Sequence, residues 1–286
     1  MAVTVPRHDF PLDGAEIRAD KLDMSARRRI DALEGSSDRF NLALGTSMLA
    51  AQTHCAADPR AANLPTWEAW VTAMQVGSAL FASATITQET VSCRIADKVR
   101  TIPATGPQHY TDAGNWLTAF WLAVVCREQD RMDQLVRVPV SLLRDSGAVF
   151  DDYVYAWVQA LQSAWLRGGD IGDLLTAALD GTAPEALRVA DPDLVQKVLY
   201  PPINLFYRYV ARQPDEFNEA LADALRWHKD YWTQDEERNS SSSGLVALGP
   251  LAVACLARDV GFPIDVESEY LPKHLLEGSW LNEFET

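Results

Sequence analysis

The sequence predicts a mainly α fold, an antiparallel helical bundle or solenoid-like array with one small β-hairpin near residues 90–102. Three observations predict it. Apolar residues recur at helical spacing in segment after segment, each bounded by cap residues or by glycine and proline. These segments run about 15–20 residues with short turns between them, which favours antiparallel neighbours. "ETVSCRIADKVRTIP" breaks the rule: Val91, Cys93 and Ile95 alternate, Ala96–Asp97 turn, and Val99–Ile102 follow, as in a hairpin.

Taken in order, Ile17, Leu22, Ile30 and Leu33 give a first helix from Gly14 to Glu34, which Gly35 ends. Ser36, Ser37 and Asp38 can cap a second, reaching about Ala57. A third starts at Pro65–Thr66 and puts Trp67, Trp70, Val71 and Met74 on one face. After the hairpin, Thr111 and Asp112 open "AGNWLTAFWLAVVCREQDRMDQLV", read as one helix with a buried first half. Asp151 and Asp152 cap "YVYAWVQALQSAWLRGG", which a double glycine stops. Asp191–Pro192 and Pro201–Pro202 each start a further helix, since proline suits a first turn. The next helix runs from Pro214 to about Asp235, and "NSSSSG" follows as a flexible polar connection. Gly249–Pro250 then starts an apolar helix that Gly261 ends, and Ile264–Tyr270 can form a second short strand. Neither Pro103–Gly106 nor Gly181–Pro184 looks like a flexible linker, so residues 1–286 are expected to form a single helical domain with the hairpin as an insertion.

Composition narrows the function. Hydrophobic residues make up 48% and charged residues 23%, which is globular and not disordered composition. The net charge of −15 is concentrated at the end: residues 213–286 hold 15 acids against 5 bases, a balance of −10. Such a field repels nucleic acid and anionic membrane surfaces, and it either attracts a basic partner or only keeps the chain soluble. Cys55, Cys93, Cys126 and Cys255 have no CxxC spacing, so no zinc site and no other metal or cofactor is expected. The apolar stretch Leu245–Ala257 is too short for the roughly 20 residues that span a bilayer. With no export signal in "MAVTVPRHDFPLDG", a cytoplasmic location is expected. No GxSxG, GxxxxGK[ST], HExxH or GxGxxG pattern is present.

The helix from Pro214 holds the residues of most interest. Phe217, Leu221, Ala224, His228 and Tyr231 follow steps of 4, 3, 4 and 3, one helical face. His228 is therefore either a neutral core imidazole with a hydrogen-bond partner or a pocket histidine able to exchange a proton. Asp230, Asp235, Glu236 and Glu237 fall where the same helix ends, against its dipole, so they are either a solvated turn or a docking surface for a cationic partner. Glu267 and Glu269 alternate in "VESEY", which puts both carboxylates on one face of an extended segment. They are either a pair that could share a proton or a metal or, as the alternation favours, a strand face exposed to water.

Three stretches carry a resemblance. "WHKDYW" at Trp227–Trp232, "GLVALGPLAVACLARDVG" at Gly244–Gly261 and "VESEYLPKHLLEG" at Val266–Gly278 together resemble immunity-protein family 49, whose members are encoded beside bacterial polymorphic toxins; the likeness is clearest over residues 200–278. The resemblance implies a helical protein that binds a cognate toxin and neutralises it without chemistry of its own. Joined to the acidic C-terminal quarter, it points to a basic toxin domain such as a nuclease, with Trp232, Asp235, Glu236, Glu237, Glu267, Glu269 and Tyr270 as docking residues. A different class stays open: a helical enzyme or small-molecule binder recruited to a biosynthetic pathway, with His228, Tyr231 and Glu269 in a pocket.

Overall fold

A computed structural model describes residues 3–281 of the chain. It opens with a two-residue strand, β1 (Val3–Thr4), and the rest of the architecture is mainly helical, with two small strand pairs and no closed sheet. The chain divides into two compact units. Among the described residues, one comprises 12–148 with 278–281; the other comprises 3–11 with 149–277.

The first unit is built on three long helices, α1 (Ala15–Ala32), α2 (Phe40–Ala57) and α3 (Leu64–Thr85), followed by the hairpin strands β2 (Thr90–Ile95) and β3 (Lys98–Pro103), then α4 (Ala113–Val125), α5 (Gln129–Leu135) and α6 (Val140–Asp145). Each of α1 to α4 packs on its sequence neighbour. The centre is α3, apolar on nearly every side: Trp70, Met74, Val76 and Leu80 are all fully enclosed. Gly77 lets α4 approach closely, since a Cβ there would stand 3.0 Å from the Ala119 Cβ. The hairpin pairs Thr90 with Pro103 through Ile95 with Lys98 and joins the helices through β2, which lies on α3. Arg100 reaches back from β3, enclosed, to Asp31 of α1 at 2.7 Å and Glu34 at 3.4 Å.

Two expectations for this unit need correction. No side chain caps α2: its N-cap position is Arg39, and Ser36 instead receives the Asp38 N–H. The stretch from 113 to 136 is two helices, because Arg127 takes a left-handed conformation (φ 56°) after Cys126 and turns the chain. Asp112 does cap α4, accepting the Asn115 N–H at 2.9 Å.

The second unit contains α7 (Tyr153–Leu166), α8 (Ile171–Asp180), α9 (Pro192–Leu194), a π-helical turn (Val195–Leu199), α10 (Tyr200–Val210), α11 (Pro214–Trp232), α12 (Glu236–Asn239), a 3-10 turn (Ser242–Gly244), α13 (Leu248–Asp259), β4 (Val266–Glu267) and α14 (Lys273–Glu277). β1 pairs with β4 in parallel, Val3 opposite Val266 and Thr4 opposite Glu267. α10 packs against α8, α11 and α13. Pro201 and Pro202 do not start a fresh helix. They stand in the first turn of α10, which continues from α9 through the π turn. Prolines lack the N–H that a regular helix would donate four residues back, and the wider turn just before them accommodates that loss. Asp151 does not cap α7 either. Its buried carboxylate accepts the N–H groups of Arg188, Val189 and Ala190 at 2.7, 3.1 and 2.9 Å, tying a distant loop to the helix start. Burial alone would raise its pKa; the three N–H donors outweigh that and hold it below the ordinary carboxylate value.

All four cysteines are buried thiols outside any disulfide: Cys55, Cys93 and Cys126 in the first unit, Cys255 in the second.

Candidate functional site

The residues singled out from the sequence all lie on or around α11 in the second unit. The apolar spacing of that helix works as expected: Phe217, Leu221, Ala224 and His228 are buried, and Tyr231 at the end of the stripe is half-buried. His228 is 5% exposed, and its Nε2 sits 2.9 Å from the Gly244 carbonyl oxygen. A carbonyl only accepts, so that nitrogen carries the hydrogen. Burial pushes the His228 pKa down to about 4, overriding the carbonyl, which favours the charged form. The imidazole is thus a neutral, hydrogen-bonded core group.

Tyr270 completes this core. Its ring is fully enclosed and meets the His228 ring edge-on at 4.9 Å. Its hydroxyl accepts the His8 backbone N–H at 3.1 Å and lies 2.8 Å from His8 Nδ1. Burial pushes that hydroxyl up to about 12. Tyr270 therefore leaves the docking set, because a ring with no accessible surface cannot contact a partner. Trp232 is half-buried with its indole against Gly244, where a Cβ would stand 2.7 Å from the ring, and its Nε1 is enclosed without a hydrogen-bond partner.

The acidic end is organised differently from the reading of a helix terminus burdened by like charge. α11 stops at Trp232. Asp235 then caps α12, accepting the Arg238 N–H at 2.8 Å, so Glu236 and Glu237 occupy the first turn of a new helix, where negative charge is favoured. The serine run is ordered too: Ser241 caps the 3-10 turn. Asp230 pairs with Lys197 at 2.6 Å and Asp235 with Arg238 at 3.3 Å. Lys197 also holds Asp193 at 2.7 Å, and the Arg238 guanidinium lies over the Tyr231 ring at 4.2 Å. The carboxylates of Glu236 and Glu237 are exposed and make no ion pair among the described residues. Glu267 is exposed on β4, which packs on α11. Glu269 sits in the turn after β4 and is exposed, 3.5 Å from Arg7, so the two carboxylates do not share one long strand face.

His228, Tyr231 and Glu269 each have a structural partner: a backbone carbonyl, a guanidinium and an arginine of the N-terminal segment. An acid–base pair needs groups within reach of a substrate and of a proton source. An enclosed imidazole bonded to backbone does not provide one. No group of three or more possible metal-ligating side chains occurs among the described residues, and none of their helices is long and apolar enough to cross a membrane.

The family model of immunity protein 49 matches residues 58–275, most of the chain. The chain belongs to that family. Membership extends well upstream of residues 200–278, into α3, the hairpin and α4. No curated protein and no solved structure matches the chain. An immunity protein has a toxin as its partner, and this much the family implies here.

Sequence reasoning missed two parts of the site. Trp227 is 39% exposed, one residue off the buried stripe of α11; its signal was a large apolar residue out of phase with that stripe. Arg7 and His8 enter from the far N-terminus, and nothing in their local sequence announces contact with Glu269 and Tyr270 some 260 residues away.

Proposed function

We propose that the chain acts in the cytoplasm as an immunity protein that binds and neutralises a basic toxin domain, a nuclease being the toxin class that fits best. The observation that carries this reading is the α12 turn. Asp235 and Arg238 hold it in place, while Glu236 and Glu237 are left solvated and without cationic partners. Paired acids are already neutralised within the fold; unpaired ones remain to attract a cation. Family membership supplies the partner class, and the −10 balance of residues 213–286 supplies the long-range attraction. Trp232, Trp227, Glu267 and Glu269 are the neighbouring residues with surface to contribute. Neutralisation needs no cofactor in this reading, because occlusion of the toxin does the work.

The test is association kinetics between the purified chain and the toxin domain encoded beside its gene. Charge reversal at Glu236→Lys and Glu237→Lys should slow association about tenfold at low salt and much less at high salt, with dissociation nearly unchanged. An unchanged association rate would remove this turn as the docking face.

A further inference from the structure

The hairpin in the other unit offers a second contact of a different kind. Ala104 donates its N–H to the Glu89 carbonyl at 2.9 Å, which marks Glu89 as a hydrogen-bonded position of the antiparallel ladder. Such positions alternate, so Val91, Cys93 and Ile95 bond to β3, while the N–H and C=O groups of Thr90, Ser92 and Arg94 point to the opposite edge. Arg131 of α5 donates to the Arg94 carbonyl at 3.4 Å, so that edge faces α5. Between edge and helix lies an open groove of about 580 Å³, lined along α3 from Ser78 to Thr85 and by Ile86 just beyond it. That span is about 12 Å of helix, the length of roughly four extended residues.

The groove's chemistry selects its occupant. Phe81 of α3, Ile86 just after it, Leu135 of α5 and Val138 in the loop that follows supply apolar lining. Arg94, Arg131 and Arg137 outnumber Glu128 and Asp130, so the lining is net positive within a chain of charge −15. Thr90 and Ser92 are exposed, and their outward backbone groups make no hydrogen bond among the described residues. A row of backbone donors and acceptors at two-residue spacing fits an added strand rather than a compact molecule.

We propose that this groove takes an extended segment of the toxin carrying at least one carboxylate, which adds to β2 as a third strand and sets an apolar side chain on the α3–α5 floor. The proposal rests on the toxin-binding reading above. It assigns to the hairpin a specificity contact separate from the acidic turn.

The experiment uses the full chain and the same adjacent-gene toxin domain. Amide exchange of Thr90 and Ser92, read by NMR, should slow at least about tenfold on toxin binding, while that of Thr101, on the outer edge of β3, should not change. Ser92→Pro removes an outward N–H without touching the ladder and should weaken toxin affinity about tenfold. Thr101→Pro, the matching change on the other edge, should leave affinity unaltered. Toxin that binds wild type with no added protection at Thr90 and Ser92, and binds the Ser92→Pro chain equally well, overturns the strand addition but not the immunity role. Toxin that fails to bind wild type overturns both. Protection of these amides in the free chain, with concentration-dependent dimerisation, overturns it in favour of edge pairing between two copies.

Discussion

His228 shows how one buried side chain ties stability to pH. Its folded pKa of about 4 lies below the ordinary histidine value of 6.5, so the folded chain holds a proton there less tightly than the unfolded chain. The stability involved is complete above pH 6.5 and is lost as pH falls toward 4, amounting to about 3 kcal/mol at the acid end. His228→Gln keeps an N–H donor for the Gly244 carbonyl and removes the titrating ring. Urea unfolding over that pH range should therefore show a shallower acid decline in the variant; parallel curves would mean that His228 is not the group responsible. The placement of His228 was legible, because steps of 4, 3 and 4 fix a helix face. Its partner was not, because Gly244 arrives through a cap and a 3-10 turn whose path depends on Asp235 and Ser241 taking up backbone bonds. Tyr270 was misread for a similar reason: a tyrosine amid charged residues looks like a surface anchor until His8 closes over its hydroxyl.

At the scale of elements, periodicity found the long helices and the hairpin but not α6, α8, α12 or α14, and chain direction was harder. Arg127 gives no composition signal for the left-handed turn that separates α4 from α5. The Pro201–Pro202 pair gave the right local rule in the wrong setting, since a π turn can absorb what a regular helix rejects. The α3–α4 contact makes a sharp test of packing. Gly77→Val would drive side-chain atoms into Ala119, so α3 and α4 must part or shift. That overpacking should cost about 1–3 kcal/mol, readable as a lower urea midpoint with an unchanged slope. A neutral result would mean the two helices slide apart without strain. Charge-turn contacts at α12 were partly legible: the residues were identified, but their favourable position at a helix start required knowing where α11 stops.

For the whole molecule, charge reads most directly from sequence to behaviour. The −15 total and its C-terminal bias call for association that slows steeply with ionic strength, by an order of magnitude or more between dilute and 0.5 M salt. A salt-insensitive rate would argue for contact through apolar surface alone. The number of cooperative domains is a separate matter. Composition gave no linker and so pointed to one domain, whereas the packing divides into two compact units.

The buried thiols give that question a chemical clock. A thiol can be modified by a water-soluble reagent only when the structure around it opens, so each labelling half-life measures how often one locality comes apart. Cys255 keeps time for one unit and Cys55 and Cys126 for the other, while Cys93 borders the open groove beside β2 and is left out. In mild denaturant, mass spectrometry of the labelled peptides should give a single half-life for Cys55, Cys126 and Cys255 if the chain opens as one cooperative body. Two half-lives, split as Cys255 against the rest, would mark the units as separate foldons.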